Sequence, residues 1–369
     1  MKGKSFILAT GLLAGTIIGA GIFSLPYVFN QIGLIPSLVY MSIFTAVYSV
    51  IHIMYGDLSE KFEGEHQFFY LAKTYLSKLT ARVATFAVLG ELLLVLVVYL
   101  ILAPTFFEIA FGVGGKTALL IFWILGSVFM FVRLSWLGIT EIAGTVAILF
   151  IIGLVLIAAV DKPFPSTTVN LGNMPLSAFF LPFGPLLFSL SGRPAVSKMV
   201  EEHRLSGKNF SLRKAIVWGT VIPAIVYTLF VIGIIKLNPQ VSPEALDSLG
   251  YLPPTIFSLL GIMGLVTLWT SYFMIGINVK DILRFDMKVS KTVAGLVVVG
   301  IPLFLYSLGF QDFLSAVSFT GSVFLALEGL FIVTMWRKAF PENSWRWVVW
   351  PLYLIFFAAI TYEIINIFS

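Results

Sequence analysis

Runs of about 20 apolar residues recur from one end of the 369-residue chain to the other. Because an α-helix rises about 1.5 Å per residue, each run is long enough to cross a hydrocarbon layer about 30 Å thick. Only 11% of the residues are charged and 59% are hydrophobic, whereas soluble proteins carry about 25% charged residues. No polar stretch is long enough to form a second, soluble domain. The sequence therefore predicts one all-α integral membrane domain, 1–369.

The apolar runs and the basic residues together predict the topology. The eleven predicted spans are 6–29, 33–58, 82–108, 117–133, 138–160, 175–199, 211–236, 254–279, 290–309, 313–336 and 344–367. Nineteen of the 23 lysines and arginines fall on the side where the chain begins, three fall on the other side, and Arg193 lies within span 6. Since basic residues concentrate in cytoplasmic loops, we expect a multi-pass plasma-membrane protein with a cytoplasmic N-terminus and an extracytoplasmic C-terminus. The charged, amphipathic segment 59–81 predicts a helix along the cytoplasmic surface.

Span 1 contains a sequence that favours a break in mid-membrane. Gly15, Gly19, Gly21 and Pro26 fall within GTIIGAGIFSLP. Glycine eases non-helical backbone and proline removes a hydrogen bond. A single glycine pair more often marks close helix packing, but four glycines with a proline favour an unwound segment. Its free N–H and C=O groups would suit a carboxylate and an ammonium or Na⁺.

Span 6 repeats this pattern in LPFGPLLFSLSGRP, residues 181–194. The first break opens spans 1–5 and the second opens spans 6–10, and the two halves run in opposite directions. Paired broken helices in inverted halves indicate the binding site of a secondary transporter. We therefore predict repeat one at 6–160, repeat two at 175–336 and an extra helix at 344–367.

The two motifs carry a family resemblance. GTIIGAGIFSLPY (15–27) resembles the first-helix signature of carriers in the amino acid–polyamine–organocation superfamily, and SLPY with LFSLSG (187–192) is similar to its amino acid/auxin permease branch. The resemblance implies a LeuT-type 5+5 inverted repeat with broken helices 1 and 6, plus an eleventh helix. It implies that N–H groups of Ala20 and Gly21 hold a substrate carboxylate. The residues whose carbonyls would hold the ammonium are Ile17, Phe188, Ser189 and Ser191, with Phe188 also flanking the side-chain pocket.

The resemblance also implies a coupling-ion site between spans 1 and 8. Its ligands would be the carbonyls of Gly15, Ile18 and Thr267 and the hydroxyls of Thr270 and Ser271. Five oxygens without a carboxylate suit a monovalent ion such as Na⁺ better than Ca²⁺. The alternative is that these hydroxyls only bond back to their own helix. Some proton-coupled relatives place a lysine on helix 5, and span 5 has none.

Three charges lie deep in the membrane, and such residues are functional candidates by default. They are Glu91 in span 3, Arg193 in span 6 and Glu328 in span 10. We expect Arg193 to pair with one of the two glutamates and to close the cytoplasmic pathway in one state, although a permanent ion pair is an open alternative. A glutamate here would also serve as a proton carrier. Glu363, near the end of span 11, is predicted to be solvated.

Other classes of protein fit the sequence less well. The chain has no cysteine and three histidines without an HExxH motif, so we expect neither an enzyme nor an organic cofactor. A channel has no need of one zwitterion site at mid-membrane. The predicted function is secondary active import of a neutral amino acid by alternating access, coupled to Na⁺, with the amino acid and the lipid bilayer as its partners and no nucleic acid. A proton-coupled carrier using Glu91 or Glu328, and a nontransporting amino-acid sensor with the same fold, remain the alternatives.

Overall fold

The computed structural model describes residues 2–61, 67–131, 137–164, 175–246, 249–250 and 252–368, and all side chains in these ranges except those of residues 2, 3, 67 and 137–143. The helices of the first half are α1 (Lys2–Ile17), a 3₁₀ turn (Ala20–Ser24), α2 (Leu25–Ile32), α3 (Leu34–Glu60), α4 (Gln67–Tyr75), α5 (Lys78–Phe111), α6 (Gly115–Phe129) and α7 (Leu137–Ala159). Those of the second half and the extra span are α8 (Leu176–Phe180), α9 (Phe183–Ser189), α10 (Arg193–Leu205), α11 (Leu212–Leu237), α12 (Pro254–Asp281), α13 (Lys291–Ser307), α14 (Phe313–Phe319), α15 (Ala326–Ala339) and α16 (Val349–Phe368).

These helices account for the eleven predicted spans. Among the described residues, six helices are long and apolar enough to cross a membrane alone, and α1 with the helical turns after it forms a seventh span bent by 50°. Three shorter apolar helices lie in spans 4, 5 and 9, and α8, α9 and α10 together form the interrupted span 6. Within the predicted surface helix at 59–81, α3 continues to Glu60, α4 covers Gln67–Tyr75 and α5 begins at Lys78, while 62–66 lie outside the described residues. The chain is a multi-pass membrane protein.

The packing of the spans follows a pseudo-twofold relation between the halves. Span 1 (α1) of the first half packs against span 7 (α11) of the second half, and span 6 (α10) of the second half packs against span 2 (α3) of the first. Likewise α7 (span 5) packs against α12 (span 8), while span 10 packs against α5 (span 3). These are the pairs that an inverted repeat exchanges, so the fold is the 5+5 arrangement with broken helices 1 and 6 plus an eleventh helix.

Span 10 contains a π-helical segment, Thr320–Leu325, which the sequence analysis did not anticipate. There the helix comes into direct contact with the backbone of span 6. A Cβ added at Gly321 would lie 1.9 Å from the carbonyl oxygen of Gly184, and a Cβ at Gly184 would lie 2.5 Å from the carbonyl oxygen of Ser318. The contact fixes the first half of span 6 against a helix that is itself locally distorted. Distortions of this π-helical kind often occur at functional sites.

The expectation for Glu363 was wrong, because its side chain is buried and only 7% exposed. Span 11 packs closely on span 10, where a Cβ at Gly329 would lie 2.5 Å from the Phe356 ring. The turn that carries Glu363 therefore faces the bundle, next to Ser322 of the π-helical segment. Nearness to the end of a span did not indicate which way the residue faces.

We predict that Gly321→Ala destabilises the protein by about 1–3 kcal/mol, the usual cost of overpacking. The added methyl group would collide with the Gly184 carbonyl, which belongs to backbone and has little freedom to move. Thermal unfolding of the purified protein in detergent measures the effect. Gly300→Ala is the matched control, because a Cβ at Gly300 meets no atom within 4 Å. Equal melting temperatures for the two variants would contradict the prediction.

Candidate functional site

The helix of span 1 ends at mid-membrane and leaves backbone N–H groups free. The last α-helical bond runs from the Ile18 N–H to the Ala14 carbonyl at 3.0 Å, and Gly19 is extended, with φ −147° and ψ −158°. The first bond of the following turn runs from the Ile22 N–H to the Gly19 carbonyl. The N–H groups of Ala20 and Gly21 come before that bond, so they have no acceptor within the turn. These are the two groups predicted to hold a carboxylate.

Span 6 breaks at the corresponding place, between Ser189, the last residue of α9, and Arg193, the first of α10. The two breaks are in contact. A Cβ at Gly21 would lie 2.6 Å from Ser189 Oγ, 2.8 Å from Ser189 Cα and 3.0 Å from the Phe188 ring. Gly21 therefore allows the two unwound segments to come together. The Ser189 hydroxyl is buried there and has no hydrogen-bond partner within the described chain.

One tyrosine hydroxyl connects the two breaks. Tyr227, fully buried on α11, places its hydroxyl 2.5 Å from the Ile17 carbonyl and 3.1 Å from the Ser189 carbonyl, and it accepts a bond from the Gly19 N–H at 3.4 Å. A hydroxyl donates one hydrogen and accepts at two lone pairs, so it donates to only one of the two carbonyls at a time. The Ile17 and Ser189 carbonyls, both predicted ammonium acceptors, thus keep lone pairs for a further donor.

A cavity of about 480 Å³ begins at the breaks. Among its lining residues are these members of the predicted site: Gly15, Ile17, Ile18, Ala20, Glu91, Phe188, Ser189, Ser191, Arg193, Thr267, Thr270 and Ser271. Gly21 and Glu328 are the two predicted site residues outside the lining, each behind it. The cavity continues to the membrane side where the chain begins, since Thr85, Asn278 and Asp281 also line it.

Aromatic residues fill the bundle on the other side of the break. The Phe23 ring packs edge to face on Phe106 and on Phe230, with ring centroids 5.3 Å and 5.9 Å apart, and all three rings are buried. Each of these rings lies on the side of Gly19 that is farther from the chain's start. The cavity thus has an open direction and a closed direction.

The residues of the predicted ion site lie where spans 1, 5 and 8 meet. The Thr267 hydroxyl is 3.0 Å from the Met263 carbonyl and 3.1 Å from the Gly144 carbonyl, and the Thr270 hydroxyl donates to the Thr267 carbonyl at 3.0 Å. A Cβ at Gly144 would lie 2.6 Å from Thr270 Oγ1. The Thr270 hydroxyl thus bonds back to its own helix, as the alternative expected, while the oxygen lone pairs of both hydroxyls remain for a cation.

The deep charges form one buried cluster. Arg193 Nε donates to Glu328 Oε2 at 2.7 Å, and the guanidinium also faces the Phe68 ring of α4 at 4.9 Å. Glu91 lies in electrostatic range of both partners, with its carboxyl group facing that of Glu328. Arg193 Nη2 and Glu91 Oε2 are buried without a hydrogen-bond partner in the described chain. If both carboxyl groups are ionised, two negative charges face one guanidinium and the cluster is short of one positive charge.

Sequence reasoning missed Tyr227 and also Tyr48, whose hydroxyl donates to the Leu187 carbonyl of span 6 at 2.5 Å. Both tyrosines satisfy carbonyls beside the second break. The chain has 13 tyrosines, many within apolar spans, and nothing in the residues around these two sets them apart. The only usable signal was indirect: a break in lipid requires a polar side chain from a neighbouring helix.

We predict that Tyr227→Phe lowers the free energy of unfolding by about 1–3 kcal/mol, because buried backbone groups at both breaks lose their partner. Thermal unfolding in detergent measures it. Tyr272→Phe is the matched control, since the Tyr272 hydroxyl is equally buried and makes no hydrogen bond within the described chain. If both variants melt at the same temperature, the Tyr227 hydroxyl does not join the breaks.

Comparisons with known proteins agree with this architecture. By structure the chain is similar to the Eremococcus coleocola manganese transporter (14% identity, 99% of this chain and 88% of that one, TM-score 0.67). It is similar to MhsT in complex with L-phenylalanine (16%, 98% and 97%, TM-score 0.63). It is also similar to Mhp1, a nucleobase-cation-symport-1 family transporter with bound bromovinylhydantoin (14%, 98% and 90%, TM-score 0.59). At these identities the likeness shows the shared LeuT fold alone.

The chain has no significant sequence match among curated proteins. A family model described as "Transmembrane amino acid transporter protein" does match, over residues 2–235. That match contains the first break, the second break and Tyr227. The chain therefore belongs to the transmembrane amino acid transporter family.

Proposed function

We propose that this protein imports a neutral amino acid into the cell by alternating access, coupled to Na⁺, with its N-terminus in the cytoplasm. The observation that carries the proposal is the contact of the two breaks at Gly21 and Ser189 beside the cavity. There, the free N–H groups of Ala20 and Gly21 can donate hydrogen bonds to a carboxylate. The carbonyls of Ile17 and Ser189 can accept hydrogen bonds from an ammonium. An amino-acid backbone requires both kinds of group.

A neutral side chain suits the cavity best. At the breaks the wall consists of backbone groups, hydroxyls and the rings of Phe188 and Tyr99. The charged lining residues lie further toward the membrane side where the chain begins; they are Glu91, Arg193, Lys198, Asp281 and Asp286. Donors and acceptors without a carboxylate fit a zwitterion better than a divalent cation, which requires several charged oxygen ligands.

Alternating access is supported by the unequal ends of the cavity. Aromatic packing by Phe23, Phe106 and Phe230 closes the side expected to face outward, while the other end is open. Closing that end requires span 6 to move against spans 3 and 10. The ion pair of Arg193 with Glu328 connects span 6 to span 10 while that end is open, so the pair alone does not close it.

Coupling to Na⁺ is supported by the shared position of the two sites. Gly15 lies one turn before the break of span 1 and Ile18 lies directly before it, and both residues line the same cavity as Thr267, Thr270 and Ser271. An ion bridging spans 1 and 8 would fix the unwound segment that holds the substrate. Binding of the ion and of the amino acid would then favour each other.

A proton-coupled carrier is the second candidate, favoured by one observation. Glu91 Oε2 is buried without a partner and Glu328 is already paired with Arg193. Because a lone buried charge is costly, a proton on Glu91 would neutralise the cluster. Glu91 would then take up and release the proton as the pathway opens.

We predict that proteoliposomes containing the protein accumulate at least one neutral L-amino acid under an imposed Na⁺ gradient. A panel of labelled neutral, acidic and basic amino acids is tested under Na⁺ and H⁺ gradients imposed separately, with protein-free liposomes as the control. Uptake driven by the H⁺ gradient alone would select the proton-coupled candidate. Exchange of no amino acid under either gradient, with purified protein that binds one, would indicate the sensor instead.

We predict that Thr270→Val raises the Na⁺ concentration for half-maximal uptake on the order of tenfold, equivalent to about 1.4 kcal/mol for one lost ligand. Valine keeps the shape of threonine and removes only the hydroxyl. Thr228→Val is the matched control, because the Thr228 hydroxyl donates within its own helix to the Ala224 carbonyl at 2.8 Å and does not line the cavity. An unchanged Na⁺ dependence in Thr270→Val would argue against this ion site.

A further inference from the structure

Two complementary polar atoms in the inner part of the cavity have no partner within the described chain. Arg193 Nη2 is a donor on a positive group, and Glu91 Oε2 is an acceptor on a group that is negative when ionised. Arg193 is 7% exposed and Glu91 is 5% exposed, yet both line the cavity. A buried charged group with unused hydrogen-bonding capacity is costly unless something satisfies it.

The arrangement of Arg193 leaves one part of its guanidinium available. Glu328 engages Nε at 2.7 Å, and the rings of Phe68 and Tyr55 face the guanidinium at 4.9 and 5.9 Å. These contacts hold the group in place while Nη2 remains unpaired. Arg193 is also the first residue of α10, whose N-cap, Gly192, makes no side-chain cap. The 13-residue helix adds positive potential at the same point.

Glu91 supplies the opposite charge nearby. It lies on α5, in electrostatic range of Arg193, and its carboxyl group faces that of Glu328. An ammonium beside Glu91 would compensate the second carboxylate of the cluster, which Arg193 alone does not. A ligand that carries both a carboxylate and an ammonium offers a partner to each of the two unpaired atoms.

We propose that the protein has a second zwitterion site on the release side of the breaks, formed by Arg193 and Glu91 and called here the inner subsite. The amino acid's carboxylate binds Nη2 of Arg193 at the start of α10, and its ammonium binds Oε2 of Glu91. The inner subsite rests on the proposed function, since it receives the amino acid that leaves the central site. It lies between the breaks and the cavity's open end, so a departing substrate passes it.

The test is the number of amino-acid molecules bound per chain. Tritiated L-leucine and L-phenylalanine are titrated to saturation against the purified full chain in Na⁺-containing buffer, by equilibrium dialysis. We expect two molecules per chain for the wild type with at least one of the probes. Glu91→Gln and Arg193→Lys should each bind one, because the first removes the negative charge and the second removes Nη2 while keeping a positive partner for Glu328.

The matched control is Glu363→Gln, which alters an equally buried carboxylate outside the cavity lining and should leave two molecules bound. Melting temperatures verify that each variant is folded, and Glu91→Gln is the milder change because Oε2 has no partner to lose. One molecule per chain in the wild type, or two in both Glu91→Gln and Arg193→Lys, overturns the inner subsite and leaves the central site intact. Binding of neither probe to the wild type contradicts the proposed neutral substrate as well.

Competition identifies the chemistry. 3-Phenylpropionate carries only the carboxylate and phenethylamine only the ammonium, so each should displace the second molecule at least tenfold less effectively than L-phenylalanine does. Replacement of chloride by gluconate should leave the second molecule bound. If chloride alone displaces it, the inner subsite is a halide site and the zwitterion proposal is wrong.

Discussion

The structure depends on how hydrogen bonds are made where two helices stop in the middle of a membrane. In hydrocarbon no water is available, so each free N–H or C=O group must find a partner in the protein or lie beside a cavity. Here the breaks of spans 1 and 6 meet each other, and Tyr227 places one hydroxyl among the groups of Ile17, Gly19 and Ser189. An unsatisfied buried group costs about 1–3 kcal/mol, so neither break would be stable without this arrangement.

The Tyr227 hydroxyl leaves some backbone groups at the breaks without a partner, and these are the groups that can bind a ligand. One hydroxyl cannot satisfy two carbonyls and every free N–H group. The N–H groups of Ala20 and Gly21 and the hydroxyl of Ser189 therefore keep unused bonding capacity at the edge of the cavity, which Ala20 and Ser189 line and Gly21 lies behind. A ligand that supplies both a donor and an acceptor stabilises the local fold as it binds. The same physical requirement thus explains why the breaks are paired and why a polar zwitterion suits them.

Much of this could be predicted from the sequence, because the relevant signals are local. Length and hydropathy define the spans, and clustered glycine and proline residues mark the breaks at Gly19 and at Ser189–Arg193. The family match and the shared fold agree with the architecture those signals predicted. What remained hidden depends on which face of a helix meets which neighbour. Tyr227 lies 38 positions from Ser189 and 210 from Ile17, and Glu363 is buried by the rotation of span 11. No periodicity in the sequence indicates the hydrogen bonds of Tyr227 or the burial of Glu363.

The π-helical segment of span 10 shows how the two halves can differ despite the repeat. Its distortion brings Gly321 against the Gly184 carbonyl in the first half of span 6, and three residues beyond the segment Glu328 holds Arg193 in the second half. Span 10 therefore contacts span 6 on both sides of the break, through backbone on one side and through an ion pair on the other. The backbone contact is dry and short, and has little room to change. The ion pair is buried, but Arg193 lines the cavity, so water can reach its guanidinium when the pair opens. If span 6 moves during transport, its second half is the part that is free to move, with the contact at Gly184 as the fixed end. The deep charges then lie on the mobile side because only there can a charged pair be opened without leaving an ion in hydrocarbon.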